Sequence, residues 1–152
     1  MSRRGQIEMT PDEVAAFLDE QRVVTCATQG PRGWPHLMPL WYLVREGEVW
    51  AWTYAKSQKV RNLERDARAT LQVETGEAYQ ELRGVMLESD VTIHRETEVV
   101  QAFGEELFAR YVGGDGSAYA EMVAAQAPKR VALRFAERRR ATWDHRKLGG
   151  VY

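Results

Sequence analysis

Residues 49–53 read Val-Trp-Ala-Trp-Thr, an alternating aromatic run that suits a half-buried strand. A short polar loop with Lys56, Ser57 and Lys59 follows. A helical pattern then opens, with Val60 and Leu63 on one side and Arg61, Glu64 and Arg65 on the other. Loop amides, a hydroxyl and two ammonium groups therefore meet at a helix N-terminus. Unpaired N–H groups and the helix dipole favour an anion there, most often a phosphate. The aromatic strand beside it suits a flat ring, so this segment points to a phosphorylated, planar cofactor. A plainer reading stands next to that one: Ser57 as an N-cap, with Lys56 and Lys59 as solvated helix-start charges.

The chain has 152 residues, which fits a single domain (1–152) with a substantial core. Its net charge of -1 provides no global basic field, so nucleic acid is not an expected partner. Basic residues do cluster locally, over 56–65 and 129–147. No apolar run approaches the roughly 20 residues that span a bilayer. The basic start, Ser2-Arg3-Arg4-Gly5, has no apolar stretch behind it, so it is not a secretory signal and the cytoplasm is the expected location. Cys26, the single cysteine, sits in an apolar strand pattern and reads as a buried small hydrophobe. His36, His94 and His145 lie far apart without zinc-type spacing, so no metal site is expected.

Along the chain, Thr10-Pro11-Asp12-Glu13 is a capping box that opens a helix ending near Gln21, with Val14, Phe17 and Leu18 on one face. Residues 23–28 read as a buried strand and 30–33 as a turn. One long strand is expected over 34–45, with Pro35 and Pro39 marking an edge or a bulge. Glu46-Gly47 turns the chain into a strand over 48–54. A short helix runs to about Asp66, and strands are expected over 69–75 and 79–94, the second with a bulge at Gly84. A helix over 96–111 carries Val99, Val100, Phe103, Leu107 and Phe108 on one side. A glycine loop, a short helix over 117–127, a strand over 130–143 and a tail over 144–152 complete the chain. Six strands joined mostly by short turns favour antiparallel pairing, and long antiparallel strands tend to close into a barrel.

This order of elements, with Trp-Thr-x-x-x-Ser-x-Lys beginning at Trp52, resembles the split β-barrel flavin-binding superfamily of pyridoxamine 5'-phosphate oxidases and deazaflavin-dependent oxidoreductases. The run from Lys59 to Arg68 is similar to the Lys-x-Arg-Asn-Leu-x-x-Asp-Pro-Arg run of the actinobacterial deazaflavin branch, with Ala67 in place of the proline. The C-terminal Trp-Asp-His-Arg-Lys-Leu also resembles that branch. The implied fold is mainly β (α+β), a six-stranded antiparallel split β-barrel with flanking helices.

The resemblance also implies roles. Met38, Pro39, Leu40 and Trp41 would lie along the ring edge, and Trp52 and Thr53 on the ring and ribityl side. Lys56, Ser57 and Lys59 would hold the phosphate with help from Asn62. A homodimer would complete the site at the subunit interface and bring Trp143 and His145 near the cofactor. Duller roles stand beside these: packing for Trp41, Trp52 and Trp143, a loop brace for Asn62, a solvated tail for His145. For Arg83 the duller role is an ion pair with Glu81 or Glu88, and for Tyr79 a structural one.

Coenzyme F-420 is the implied cofactor, with flavin mononucleotide as the alternative. The tail of coenzyme F-420 is polyanionic and would call on Lys56, Lys59, Arg61, Arg65 and Arg138, Arg139 and Arg140. The implied activity is hydride transfer from reduced coenzyme F-420 to an electron-poor double bond of a small apolar substrate, in a pocket walled by Trp34, Met38, Trp41 and Trp52. No general acid stands out. A non-catalytic carrier of F-420, flavin or a haem-like ligand is the reading from a different class. Pyridoxamine phosphate oxidation needs a C-terminal Arg-x-His pair, whereas the tail here reads Asp144-His145-Arg146.

Overall fold

The computed structural model describes residues 2–150. Helix α1 (Arg3–Ile7) is capped by Ser2, and α2 (Pro11–Glu20) by the expected reciprocal box between Thr10 and Glu13. The strands are β1 (Val24–Gln29), β2 (Pro35–Leu40), β3 (Tyr42–Arg45), β4 (Glu48–Tyr54), β5 (Arg68–Thr75), β6 (Arg83–His94) and β7 (Arg130–Asp144). Helix α3 (Gln58–Arg65) follows β4, while α4 (Thr97–Val112) and α5 (Ala120–Gln126) connect β6 to β7. All pairings are antiparallel, in one seven-stranded sheet ordered β2-β1-β5-β6-β7-β4-β3.

The expected strand over 34–45 is in fact two strands, which makes seven rather than six. Leu40 pairs with Val24 on one edge of the sheet, whereas Tyr42 pairs with Ala51 on the other. Strands at opposite edges are thus joined through one residue, Trp41, and the sheet has to curl until its edges meet. Tyr42 anchors that crossing: it is fully buried, and its hydroxyl donates to the Leu18 and Gln21 carbonyls at 2.5 and 3.1 Å. Burial pushes its phenol up to about 12, so it stays a donor at ordinary pH.

Two further expectations are corrected. Residues 79–81 form a 3₁₀ turn, and the strand begins only at Arg83. The bulge is at Glu88/Ser89, where Arg138 is the extra residue on β7, and not at Gly84. Gly84 pairs in register with Trp143, and a Cβ there would lie 2.1 Å from the indole Cζ2. The glycine is required for space rather than for backbone conformation. The expected tail holds a 3₁₀ turn (His145–Leu148), and its last two residues lie outside the described ones.

The inside of the curl holds Val24, Cys26, Leu71, Val85, Leu133 and Phe135, closed by Phe17 of α2 and Val60 and Leu63 of α3. A second core lies between the sheet and α4 and α5, around Trp52, Phe103, Leu107 and Val123. Each such large side chain contributes about 1.5–3 kcal/mol on burial. Among the described residues no helix is long and apolar enough to cross a membrane, and no cluster of three potential metal ligands occurs.

Candidate anion-binding site at the start of α3

The loop after β4 is tied at both ends. Ser57 N–H donates to the Tyr54 carbonyl at 3.0 Å, and Ala55 N–H donates to the Lys129 carbonyl at 2.9 Å. Ser57 is extended and caps α3, its hydroxyl accepting from Val60 N–H at 3.3 Å. The cap reading of Ser57 is therefore correct as far as it goes. Among the described residues the Gln58 and Lys59 amides find no protein acceptor. These are first-turn donors that a helix leaves unpaired, and they open beside exposed Lys56.

Lys59 is not a solvated charge. Only 3% of it is exposed, and its Nζ donates to Thr53 Oγ1 at 3.0 Å, inside the curl. Burial lowers its pKa, and the neighbouring Cys26 thiol partly offsets this. The same burial pushes Cys26 up to about 11, which keeps it a thiol as expected. Asn62 is fully buried and acts as the brace. Its Nδ2 donates to Thr28 Oγ1 at 3.0 Å, while its Oδ1 accepts from Gln58 at 2.7 Å and Arg65 at 3.1 Å.

Trp52 is buried beneath α4, where a Cβ on Gly104 would lie 2.6 Å from its ring. Trp41 stacks on Tyr111 at 4.3 Å between ring centres. Of the residues expected to wall a pocket, Trp52 belongs to the second core, and Trp34 stands 74% exposed in the turn before β2. Met38 shares the inner face with Cys26, Pro39 the outer face with Thr25, and Leu40 packs on the inner core. Trp143 lies over Gly84 and is half-buried. His145 Nδ1 donates to the Tyr79 carbonyl at 2.8 Å. Arg83 pairs with Glu20 at 3.2 Å, not with Glu81 or Glu88. Arg138, Arg139 and Arg140 are taken by Asp90, Glu88 and Glu137, so the cations expected from that run are already neutralised.

Backbone edges frame the loop. Trp52, Thr53 and Tyr54 pair with β7 but extend past the end of β3, and β2 pairs only with β1. Two residues were missed in the sequence. Arg130 holds its guanidinium 4.4 Å from the Trp52 ring centre and 4.0 Å from that of Tyr54. His36 faces the same side as Thr28, with a buried Nδ1 that has no protein partner. Neither is legible without the strand register.

The comparisons agree with this architecture. A family profile described as pyridoxamine 5'-phosphate oxidase matches residues 10–144. A crystal structure of a conserved hypothetical protein from Mycobacterium tuberculosis is 41% identical, with a TM-score of 0.91, covering 100% of this chain and 95% of that one. An F-420 reductase structure is 19% identical with a TM-score of 0.66, over 83% of this chain and 94% of its own. The haem storage protein of Vibrio cholerae is 13% identical with a TM-score of 0.65, over 84% and 89%. At those identities the last two show a shared fold. No curated protein matches the chain. With most of its length matched by the profile and its seven strands curled in the same way, the chain belongs to the pyridoxamine 5'-phosphate oxidase family.

Proposed function

We propose that this protein binds a ribityl-phosphate cofactor of the deazaflavin or flavin type, coenzyme F-420 first and flavin mononucleotide second, and uses it as an oxidoreductase. The carrying observation is the start of α3, where two unpaired amides and the Ser57 hydroxyl follow directly on exposed Lys56. This donor set fits a phosphate dianion. Gln58 and Lys59 would donate through their backbones and Lys56 through its ammonium. Lys59 and Asn62 would hold the helix in place from inside. When bound, the cofactor supplies hydride transfer to an electron-poor double bond of a small apolar substrate. The protein supplies the backbone edges of β2 (Met38, Pro39, Leu40) and β4 (Thr53) to orient the ring.

A homodimer is part of this proposal. Leu37, 60% exposed, joins Trp34 on the β2 edge of the sheet, and so large an apolar surface calls for a cover. Trp143 and Trp41 would face the cofactor only across such an interface. Oxidation of a pyridoxamine phosphate is not proposed. His145 is held at Tyr79, and Arg146 is held by Asp144 at 2.7 and 2.9 Å, which leaves no free Arg–His pair in the tail.

A carrier without turnover is the second reading. It is favoured by the inward packing of Trp52, which removes one wall of the expected substrate pocket. Titration of the protein with each cofactor, followed by desalting and an absorbance spectrum, tests the common part: retention of neither rejects both readings. Oxidation of the reduced cofactor with a panel of enones separates them, since binding without acceptor-dependent oxidation leaves the carrier. In the same titration Ser57→Ala should weaken cofactor affinity as well as helix stability; a loss of stability alone would reduce Ser57 to a cap.

A further inference from the structure

We infer that Arg130 and Lys129 form a second anion subsite beside the α3 loop, which selects ligands carrying an anionic group beyond the phosphate. This rests on the cofactor-binding reading above. Among the described residues, neither cation has a carboxylate within ion-pair distance. The contrast along β7 is sharp: Arg134, Arg138, Arg139 and Arg140 on the same strand are all paired. The cations expected to serve an anionic tail are thus occupied, and the free ones sit at the other end of the strand, next to the loop.

The placement is fixed by the backbone. Arg130 pairs with Tyr54, the last residue of β4, and the Lys129 carbonyl accepts from Ala55 N–H. The Tyr54 carbonyl in turn accepts from Ser57 N–H. Arg130 is half-buried and its guanidinium lies over the rings of Trp52 and Tyr54. Its side-chain hydrogen-bond partners among the described residues are neutral: Gln126 Oε1, at a long 3.4 Å, and Tyr54. A guanidinium has five N–H donors in a rigid fork. Partly desolvated and without a carboxylate partner, this fork suits bidentate capture of a carboxylate or phosphate. Desolvation lowers its pKa, and the neighbouring Tyr54 partly offsets this. Lys129 stands exposed beside it and adds a second positive charge. A tail of carboxylates leaving the phosphate would meet this pair, whereas flavin mononucleotide ends at its phosphate and would not reach it.

The test uses coenzyme F-420 with its oligoglutamate tail and flavin mononucleotide as probes, on the full chain. Arg130→Gln and, separately, Lys129→Gln should each reduce affinity for coenzyme F-420, the arginine variant by about tenfold or more. Affinity for flavin mononucleotide should stay within about twofold, and the salt dependence of coenzyme F-420 binding should flatten. Arg130→Lys should recover only part of the loss, because it keeps the charge but not the fork. Lys129 is exposed, so its variant reports even if the arginine variant is poorly folded. Equal weakening of both probes, or undiminished affinity for coenzyme F-420 in every variant, overturns the subsite while the cofactor reading stands. Binding of neither probe by the parent protein overturns that reading, and the subsite with it.

Discussion

The ammonium of Lys59 donates to the hydroxyl of Thr53 at 3.0 Å within the curled sheet, and both side chains are buried. A lysine with three donors and one neutral acceptor is costly to bury, because desolvation penalises the charged form. Lys59→Met should therefore stabilise the ligand-free protein at pH 7, by about 1 kcal/mol. The sign of the pH dependence follows from the lowered pKa. Below the folded value both states hold the proton and the full penalty applies. Between the folded value and the ordinary 10.5, the unfolded chain holds a proton that the native state has released, so stability rises with pH. The gain from Lys59→Met should thus be larger at pH 7 than at pH 10 in urea unfolding. A variant less stable than the parent at pH 7 would show that Lys59 has a counterion inside the sheet.

Asn62 holds α3 to β1 through Thr28, and both are almost without solvent contact. Asn62→Ala removes the donor to Thr28 and the acceptor for Gln58 and Arg65. The loss should be about 1–3 kcal/mol, because buried partners are left unsatisfied. Thr28→Val in the Asn62→Ala background should cost less than in the parent. Additive losses in that double-mutant cycle would mean that the two side chains do not depend on one another.

These two residues also show where the sequence stopped being readable. Capping is local, so Thr10 and Glu13 announced α2, and Ser57 announced α3. On α3, Lys59, Val60, Asn62 and Leu63 all lie on the buried face. Periodicity places 59, 62 and 63 together, but the charge of Lys59 pointed to a bound phosphate or to solvent rather than to the core. Only the partners Thr53 and Thr28, distant in sequence, make burial of that face tolerable. The break at Trp41 was hidden for a related reason. Residues 34–45 carry one continuous strand-like pattern, and the change from pairing with β1 to pairing with β4 is decided by tertiary closure. Salt-bridge partners were equally out of reach, since Glu20 meets Arg83 across 63 positions of chain.

Gly84 and Trp143 make a sharper test of packing. A methyl on residue 84 would collide with the indole. Gly84→Ala should destabilise the protein by about 1–3 kcal/mol and alter the near-ultraviolet circular dichroism of the tryptophans. The backbone at residue 84 is not in the left-handed region, so alanine itself is tolerated there. In a Trp143→Ala background, Gly84→Ala should accordingly become neutral or slightly stabilising, since it also restrains the unfolded chain. Destabilisation that persists without the indole would place the conflict in the backbone.

Acid stability should depend on Asp144. Its carboxylate is buried at the end of β7 and accepts from the Arg146 guanidinium at 2.7 and 2.9 Å and from the Arg146 amide at 3.1 Å. The side-chain bond with Arg146 holds its pKa below the usual 3.8, against the opposing effect of burial. A depressed folded pKa contributes stability that is complete above the unfolded value and is lost as pH falls through the folded one. Arg146 is 57% exposed, so solvent screens the pair and Asp144→Asn should cost only about 1 kcal/mol at pH 7. The difference from the parent should shrink as pH falls below 3.8 and vanish once Asp144 is protonated in both states. Other carboxylates titrate in the same range, but they do so in parent and variant alike, so the difference curve isolates Asp144. A gap that stays constant from pH 7 to pH 2 would assign the effect of the substitution to packing rather than to charge.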